Sequence, residues 1–301
     1  MIKISAVVSA FNEEDKIARC LESLSFCQEI IVVDNQSTDK TVKLAKKHGA
    51  KVFSRPNNSM LNINKNFGFS KAINEWILNL DADEAVSFEL KKEIEGLSPN
   101  LLNVAFQIPR QNIIFGKWIK HSLWWPDYQI RLFKKNHGKF ACIHVHEKIS
   151  VTGEIADLTG HLIHYNYETV SQFIQKMDKI YTTNEAECLA TQKKTLRWFD
   201  ALWLPINDFF KTFFLQKGYR DGLHGLVLSL LQAFYSLVIF AKYWEINKFK
   251  IEEPKNFPHA VIAEITKIGK DFRYWLTTLE IEETTAVWKK TILRSKRKLG
   301  L

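Results

Sequence analysis

The stretch "ILNLDADEAVS" at Ile77–Ser87 ends an apolar run in three acids within four residues, Asp81, Asp83 and Glu84. Carboxylates clustered where a buried strand surfaces can hold a hard divalent cation, which prefers oxygen ligands, and through it a phosphate. The competing reading is a solvated turn, because Asp is common at strand ends. An Asp-x-Asp pair alone does not separate the two. Other polar groups close other apolar runs: "EIIVVD" ends on Asp34, and "KISAVVSAF" runs into Asn12 and Glu13. Farther on, Asp127 follows Trp124, Trp125 and Pro126, and Glu147 ends "HVHE". In that last motif His144 and His146 share one strand face by two-residue alternation. They suggest a zinc pair, but no third ligand is evident.

The elements that must position these groups follow from hydrophobic periodicity. Residues 3–11 read as a buried strand, with Asn12 as the N-cap of a helix whose Ile17, Leu21 and Leu24 recur at helical spacing. Residues 29–34 read as a second strand and 37–49 as a helix stopped by Gly49. "AKVFS" is a third strand, residues 64–75 a loop turning into a helix, and 76–81 a fourth strand. Continuous apolar strands separated by helices predict a parallel sheet covered on both faces. Ligands of such sheets bind at the carboxyl ends of the strands. Ser9–Glu13, Asp34–Asp39 and Asp81–Glu84 all fall there, so the converging acids favour a site over unrelated turns. Residues 101–165 turn β-rich and aromatic, with Asn136 and Gly138 marking a turn, and helices dominate from about 168 onward. The expected organisation is an α/β domain over 1–165 and a mainly helical, basic extension over 166–301.

A chain of 301 residues, 46% hydrophobic and 25% charged, has the composition of a soluble globular protein of one or two domains. Cys20, Cys27, Cys142 and Cys188 form no C-x-x-C pair and read as free thiols in a reducing compartment. The opening apolar run is too short for a secretory leader and is read as the first strand. The net charge of +9 is uneven: residues 1–100 carry 13 Lys/Arg against 14 Asp/Glu, and residues 101–301 carry 29 against 19. A basic second half predicts an anionic partner. No nucleic-acid module is recognisable, so nucleic acid is not expected, and an anionic membrane surface is.

Gly225–Ala241 holds no charge over seventeen residues, short of the ~20 that a spanning helix needs. Ser229, Gln232 and Ser236 fall on one helical face, and Arg220, Lys242, Lys248 and Lys250 flank the run. A helix buried in the protein and an interfacial helix on a membrane both fit; a transmembrane span is not expected.

The segments "AVVSAFNEEDKIARCLESL", "IIVVDNQSTDKTVKLA" and "NFGFSKAINEWILNLDADE", in that order and spacing, resemble the inverting glycosyltransferases of family 2, which implies a GT-A fold. "WWPDYQIRLFKK", "IHVHEKI", "LIHYNY" and "GYRDGLHG" resemble its bacterial lipopolysaccharide-core β-1,4-glucosyltransferase branch. The likeness covers roughly residues 1–245. It implies transfer of a hexose, glucose or a relative, from a nucleotide-diphospho-sugar, a UDP-sugar, to a lipid-linked oligosaccharide on the cytoplasmic face of the plasma membrane. A diphosphate leaving group needs electrophilic help, so a Mg²⁺ or Mn²⁺ cofactor is implied. In this scheme Asp83 is the metal ligand, Asp81 orients the ribose or a metal-bound water, and Ala82 lies between them in the donor site. Glu84 acts behind them. Asp34 accepts hydrogen bonds from the base or ribose, Ala10, Asn12 and Glu13 line the base edge, and Lys71 reaches the diphosphate or is a surface lysine. His146 or His164 contacts the metal or donor phosphate, or is structural.

Inversion also requires a base for the acceptor hydroxyl. Asp127 is the first candidate, its carboxyl expected to be raised by partial desolvation beside the tryptophans, and Glu147 is the second. Either carboxylate could instead be structural, paired with Arg131. Two other classes remain open on sequence grounds: a catalytically silent nucleotide-sugar or membrane-surface binding protein, and a nucleotidyltransferase. The second would carry a Gly-rich phosphate loop after the first strand, and "SAFNEED" has none.

Overall fold

The computed structural model describes residues 2–57, 61–142, 147–192 and 195–299. The chain divides into two compact units, Met1–Trp118 with Trp124–Asn166, and Ile119–Leu123 with Tyr167–Leu301.

The first unit is built on strands β1 (Ile4–Ala10), β2 (Glu29–Asp34), β3 (Lys51–Ser54), β4 (Trp76–Asp81), β5 (Glu84–Val86), β6 (Ala105–Ile114), β7 (Lys117–Trp118), β8 (Asp127–Lys134), β9 (Gly138–Lys139), β10 (Ser150–Val151), β11 (Ile155–Asp157) and β12 (Leu162–Tyr167). Their order is β3-β2-β1-β4-β8-β6-β12-β5, with β7 and β11 on β6 and a separate β9–β10 pair. β3, β2, β1 and β4 are mutually parallel, as the apolar runs predict, and β8 lies antiparallel to β4. The chain leaves β1 in one direction for β2 and β3, then returns to its other side at β4. Loops diverge at such a reversal and leave a crevice at the strand ends.

Alternation along β1 sends Ala6 and Val8 to one core and Val7 to another. The first core is closed by α1 (Ile17–Ser23), α2 (Thr41–Lys47) and α4 (Phe88–Glu95), through Ile17, Leu21, Ala45, Leu90 and Ile94. The second is closed by α3 (Leu61–Lys71) and the β9–β10 side, through Phe69, Phe140 and Ile149. A β-carbon at Gly68 would lie 2.5 Å from Val7 Cγ1 and 2.9 Å from Val33 Cγ2, so the approach of α3 to the sheet requires glycine there.

Three local expectations differ from the fold. Asn12 is not a helix cap: α1 starts at Ile17, and Asn12, at φ 52°, accepts from Thr38 N (2.8 Å) through Oδ1. It caps the neighbouring loop instead. Helix α2 starts at Thr41 rather than near 37, because Ser37 N and Thr38 N are taken by Asp34 and Asn12. Helix α3 starts at Leu61 rather than emerging from a loop at 64. Its asparagines are poor helix formers, but each is committed across the fold. Asn62 donates to Glu147, Asn64 to Asn35, and Asn66 to Phe140 O.

The second unit is helical: α5 (Val170–Lys176), α6 (Thr183–Thr191), α7 (Asp200–Phe209), α8 (Leu223–Ile246), α9 (Phe257–Glu283) and α10 (Val287–Leu299). Ala186, Leu196, Phe240 and Tyr243 form its buried cluster. Within it, buried Asp221 accepts from the backbone N–H groups of Lys120 and His121 and so ties 119–123 to the helices.

Candidate active site

The register of the parallel strands determines which groups meet. Ala10 pairs with Asp34 across β1–β2, and Ser9 with Asp81 across β1–β4. The carboxyl ends of three adjacent strands therefore present Asp34, Asn12 and Asp81 side by side. Asp34 is buried and accepts from Ser37 N with both carboxylate oxygens, at 3.2 and 3.3 Å. Asn35 Nδ2 donates to Ser9 Oγ (3.1 Å) and Ala10 O (3.0 Å), stiffening the same edge. Glu13 N donates to Thr41 Oγ1 (2.8 Å), so the loop after β1 is stapled to the loop after β2.

At the acidic motif each carboxylate has a different partner. Lys65 Nζ reaches Asp81 Oδ1 at 2.5 Å and Arg131 Nη2 reaches Asp81 Oδ2 at 2.9 Å. Burial pushes the Asp81 carboxyl up, but the two cations outweigh it and hold the group well below the usual carboxylate range. Ala82 is buried between the two aspartates. Glu84 is buried as well, accepting from Arg131 Nη2 (2.6 Å), Arg110 Nη1 (3.3 Å) and Asp81 N (3.0 Å). Its work is therefore to brace the motif and two guanidiniums from behind.

Asp83 faces a histidine. β5 and β12 pair His164 with Glu84, which brings His164 Nε2 to 3.6 Å from Asp83 Oδ2, beyond direct hydrogen-bond length. Asn112 Nδ2 donates to Trp124 O (2.7 Å), so Asn112 Oδ1 is the acceptor facing His164 Nδ1 at 2.7 Å. His164 must then carry its proton on Nδ1 in the neutral form, leaving the Nε2 lone pair aimed at Asp83.

Asp127 opens β8 directly opposite Arg110 on β6. Arg110 Nε donates to Asp127 Oδ2 (2.9 Å), Arg110 Nη2 makes a second, shorter contact with the same oxygen, and Gln129 Nε2 donates to Oδ1 (2.8 Å). Desolvation raises the Asp127 carboxyl, as expected, but Arg110 and the hydrogen bonds prevail and the net shift is downward. Its ion-pair partner is Arg110 rather than Arg131. Glu147 is committed elsewhere, its Oε1 accepting from Cys142 N (2.6 Å) and Asn62 Nδ2 (3.1 Å). Lys71 Nζ lies 5.1 Å over the Phe67 ring and 5.9 Å over Phe53; the lysine brought to Asp81 is Lys65. His144 and His146 lie outside the described residues.

Lys65, Arg110, Asn112 and Arg131 thus join the site; sequence reasoning named only Arg131, and as a structural partner of Asp127 or Glu147 rather than of Asp81 and Glu84. Arg110 and Asp127 are seventeen residues apart, and only the β6–β8 register makes them neighbours. Lys65 had one signal, its place on the helix that carries the candidate Lys71.

A parallel sheet with carboxylates and cations gathered at its switch point, flanked by antiparallel strands that carry a further carboxylate, is an α/β arrangement consistent with the GT-A fold. Residues 5–151 match the sequence model of Glycosyl transferase family 2. The chain is 33% identical over 261 residues to an uncharacterized glycosyltransferase of Rickettsia typhi, covering 82% of this chain and 88% of that one. It is 26% identical over 261 residues to the lipopolysaccharide core biosynthesis glycosyltransferase LpsC of Rhizobium meliloti, covering 83% and 94%. The solved structure of S. aureus TarS 1–349 in complex with UDP is similar at a TM-score of 0.45 and 14% identity, covering 83% of this chain and 92% of that chain. The chain belongs to glycosyltransferase family 2.

Proposed function

We propose that this enzyme transfers a hexose, with inversion, from a UDP-sugar to a lipopolysaccharide core or another lipid-linked glycan at the cytoplasmic face of a bacterial plasma membrane. The observation that carries the reading is the meeting of Asp34, Asp81, the Asp83–His164 pair and the Asp127–Arg110 pair around one strand reversal. The similarity to LpsC supports a lipopolysaccharide-type acceptor. In this reading Asp34 takes the base or ribose beside Ala10, Asn12 and Glu13, and Lys65 and Arg131 set positive charge near the diphosphate.

The donor set at Asp83 fits a divalent cation. Asp83, through a carboxylate oxygen, and His164, through the Nε2 lone pair that the amide behind it orients, would hold an ion such as Mn²⁺ or Mg²⁺, which when bound would offset the charge of the leaving diphosphate. Asp127 accepts the proton of the acceptor hydroxyl as that oxygen bonds to the anomeric carbon and the bond from that carbon to the phosphate oxygen breaks. Arg110 keeps Asp127 ionised and aimed. Residues 166–301 serve as the acceptor-side, membrane-associating part.

The test is release of nucleoside diphosphate from UDP-glucose and related donors, with a lipid-linked glycan acceptor, with and without Mn²⁺. Asp83→Asn is expected to lower kcat/KM about a thousand-fold with an unchanged Tm. An Asp83→Asn protein as active as wild type overturns the assignment. Donor binding without turnover across all acceptors favours the silent binding protein instead.

A further inference from the structure

Helix α8 is apolar on its outer face as well as its inner one. Its outward positions, Leu223, Leu230, Phe234, Leu237, Ala241 and Trp244, recur at spacings of three, four and seven and make one stripe with no polar side chain. Leu223 is 72% exposed, Leu230 52% and Phe234 47%. The inward positions are Gly225, Leu228, Ser229, Ser236, Ile239, Phe240 and Tyr243, and Ser236 Oγ donates to the Asp208 carboxylate. A helix on a water-facing surface carries polar side chains on its outer face, and this one does not. The stripe runs twenty-two residues, about 33 Å, and an apolar surface of that extent marks an interaction site.

We infer that this stripe docks, lengthwise, into the headgroup and acyl boundary of an anionic lipid bilayer. Three observations choose lipid as the occupant. First, the unit carrying α8 holds 22 Lys/Arg against 15 Asp/Glu, whereas the other holds 20 against 18, and no acid lies between Asp221 and Glu245. Second, the C-terminal end of the stripe carries an exposed aromatic pair, Trp244 and Phe249, with ring centroids 5.1 Å apart, beside exposed Lys248 and Lys250. Aromatic rings next to lysines are what the headgroup layer accommodates. Third, the same unit ends in α10, where Lys289, Lys290, Arg294, Lys296, Arg297 and Lys298 accompany exposed Trp288 and Ile292 and no acid.

By length and composition α8 could cross a bilayer. The Asp208 carboxylate against the middle of its inner face places protein, not lipid, on that side, so the helix lies in the interface plane. This inference deepens the lipid-linked acceptor reading by naming the surface that meets the membrane.

The test is flotation of the full chain with vesicles of phosphatidylethanolamine and phosphatidylglycerol, and with vesicles of phosphatidylcholine alone. The chain is expected to float with the anionic vesicles and weakly with the neutral ones. The double variant Leu230→Asn/Phe234→Asn is expected to lose at least about ten-fold in partitioning. Leu102→Asn, at an exposed leucine of the other unit, is expected to leave it unchanged. Wild type that stays with the aqueous phase, or a double variant that floats as well as wild type, overturns the inference. So does light scattering that shows a wild-type dimer which the double variant dissolves, because a second copy then covers the stripe. Flotation without sugar transfer sinks the catalytic reading alone, and transfer without flotation sinks this one alone.

Discussion

The two units bury polar groups by opposite rules. The sheet unit takes full charges inside and answers each: Glu84 meets Arg131 and Arg110, Asp81 meets Lys65 and Arg131, and Asp127 meets Arg110. The helical unit buries Ser229 and Ser236 beside apolar Leu228, Ile239 and Phe240, answers buried Asp221 with backbone N–H groups, and leaves Leu223, Leu230 and Phe234 outside. The first arrangement costs desolvation and holds the candidate site's carboxylates ionised. The second costs exposed apolar area in water and is reasonable only if another phase covers it. On the proposed reading, one unit is organised around a reaction and the other around a surface.

Removing a charge from inside the sheet unit should be the most damaging change. Glu84→Gln leaves Arg131 with Asp81 and Arg110 with Asp127 but removes the buried carboxylate they share, and a loss of about 3 kcal/mol is expected in urea unfolding. Unchanged stability would mean that the network is not closed as described. Reversing the inward rule of α8 comes next. Ser236→Leu overpacks a buried position and removes the partner of Asp208, for about 1–3 kcal/mol by the same measurement. The outward face should hardly respond: Leu237→Ser is expected to change stability by no more than about 0.5 kcal/mol. If Leu237→Ser and Ser236→Leu cost the same, the contrast between the two faces fails.

The pH response tests the ion pairs of the sheet unit. Asp127 has a folded-state carboxyl lower than its unfolded one, so its contribution to stability is present above the unfolded value of about 3.9 and is lost as pH falls toward the folded value. Arg110→Gln removes the main group that lowers it. In that variant the acidic limb of the pH–rate profile is expected to move to higher pH, and the acid unfolding transition with it. A profile that does not move would show that Arg110 does not govern Asp127.

The parallel half of the sheet was legible because its strands are continuous apolar runs, and a run such as "IIVVD" has little alternative to a buried strand. The site was legible where a motif coincides with a strand end, as at Asp34, Asp81 and Asp83. It was not legible where partners come from antiparallel strands of separate hairpins. Arg110 opposite Asp127 and His164 opposite Glu84 depend on register, and a one-residue slip would send either side chain to the other face. Local propensity also misplaced the start of α3, since its asparagines gain their stability from Glu147, Asn35 and Phe140 rather than from the helix.

By itself, then, the sequence determined the α/β order, the acids at the strand ends, the uneven charge and the family. Tertiary structure alone decided which cation answers each acid, which histidine nitrogen faces Asp83, and which face of α8 points outward. The physical reason is the same in each case. Periodicity and composition are local properties of the chain, whereas a carboxylate's protonation and a helix's orientation depend on groups within about 4 Å, and folding draws those from distant positions.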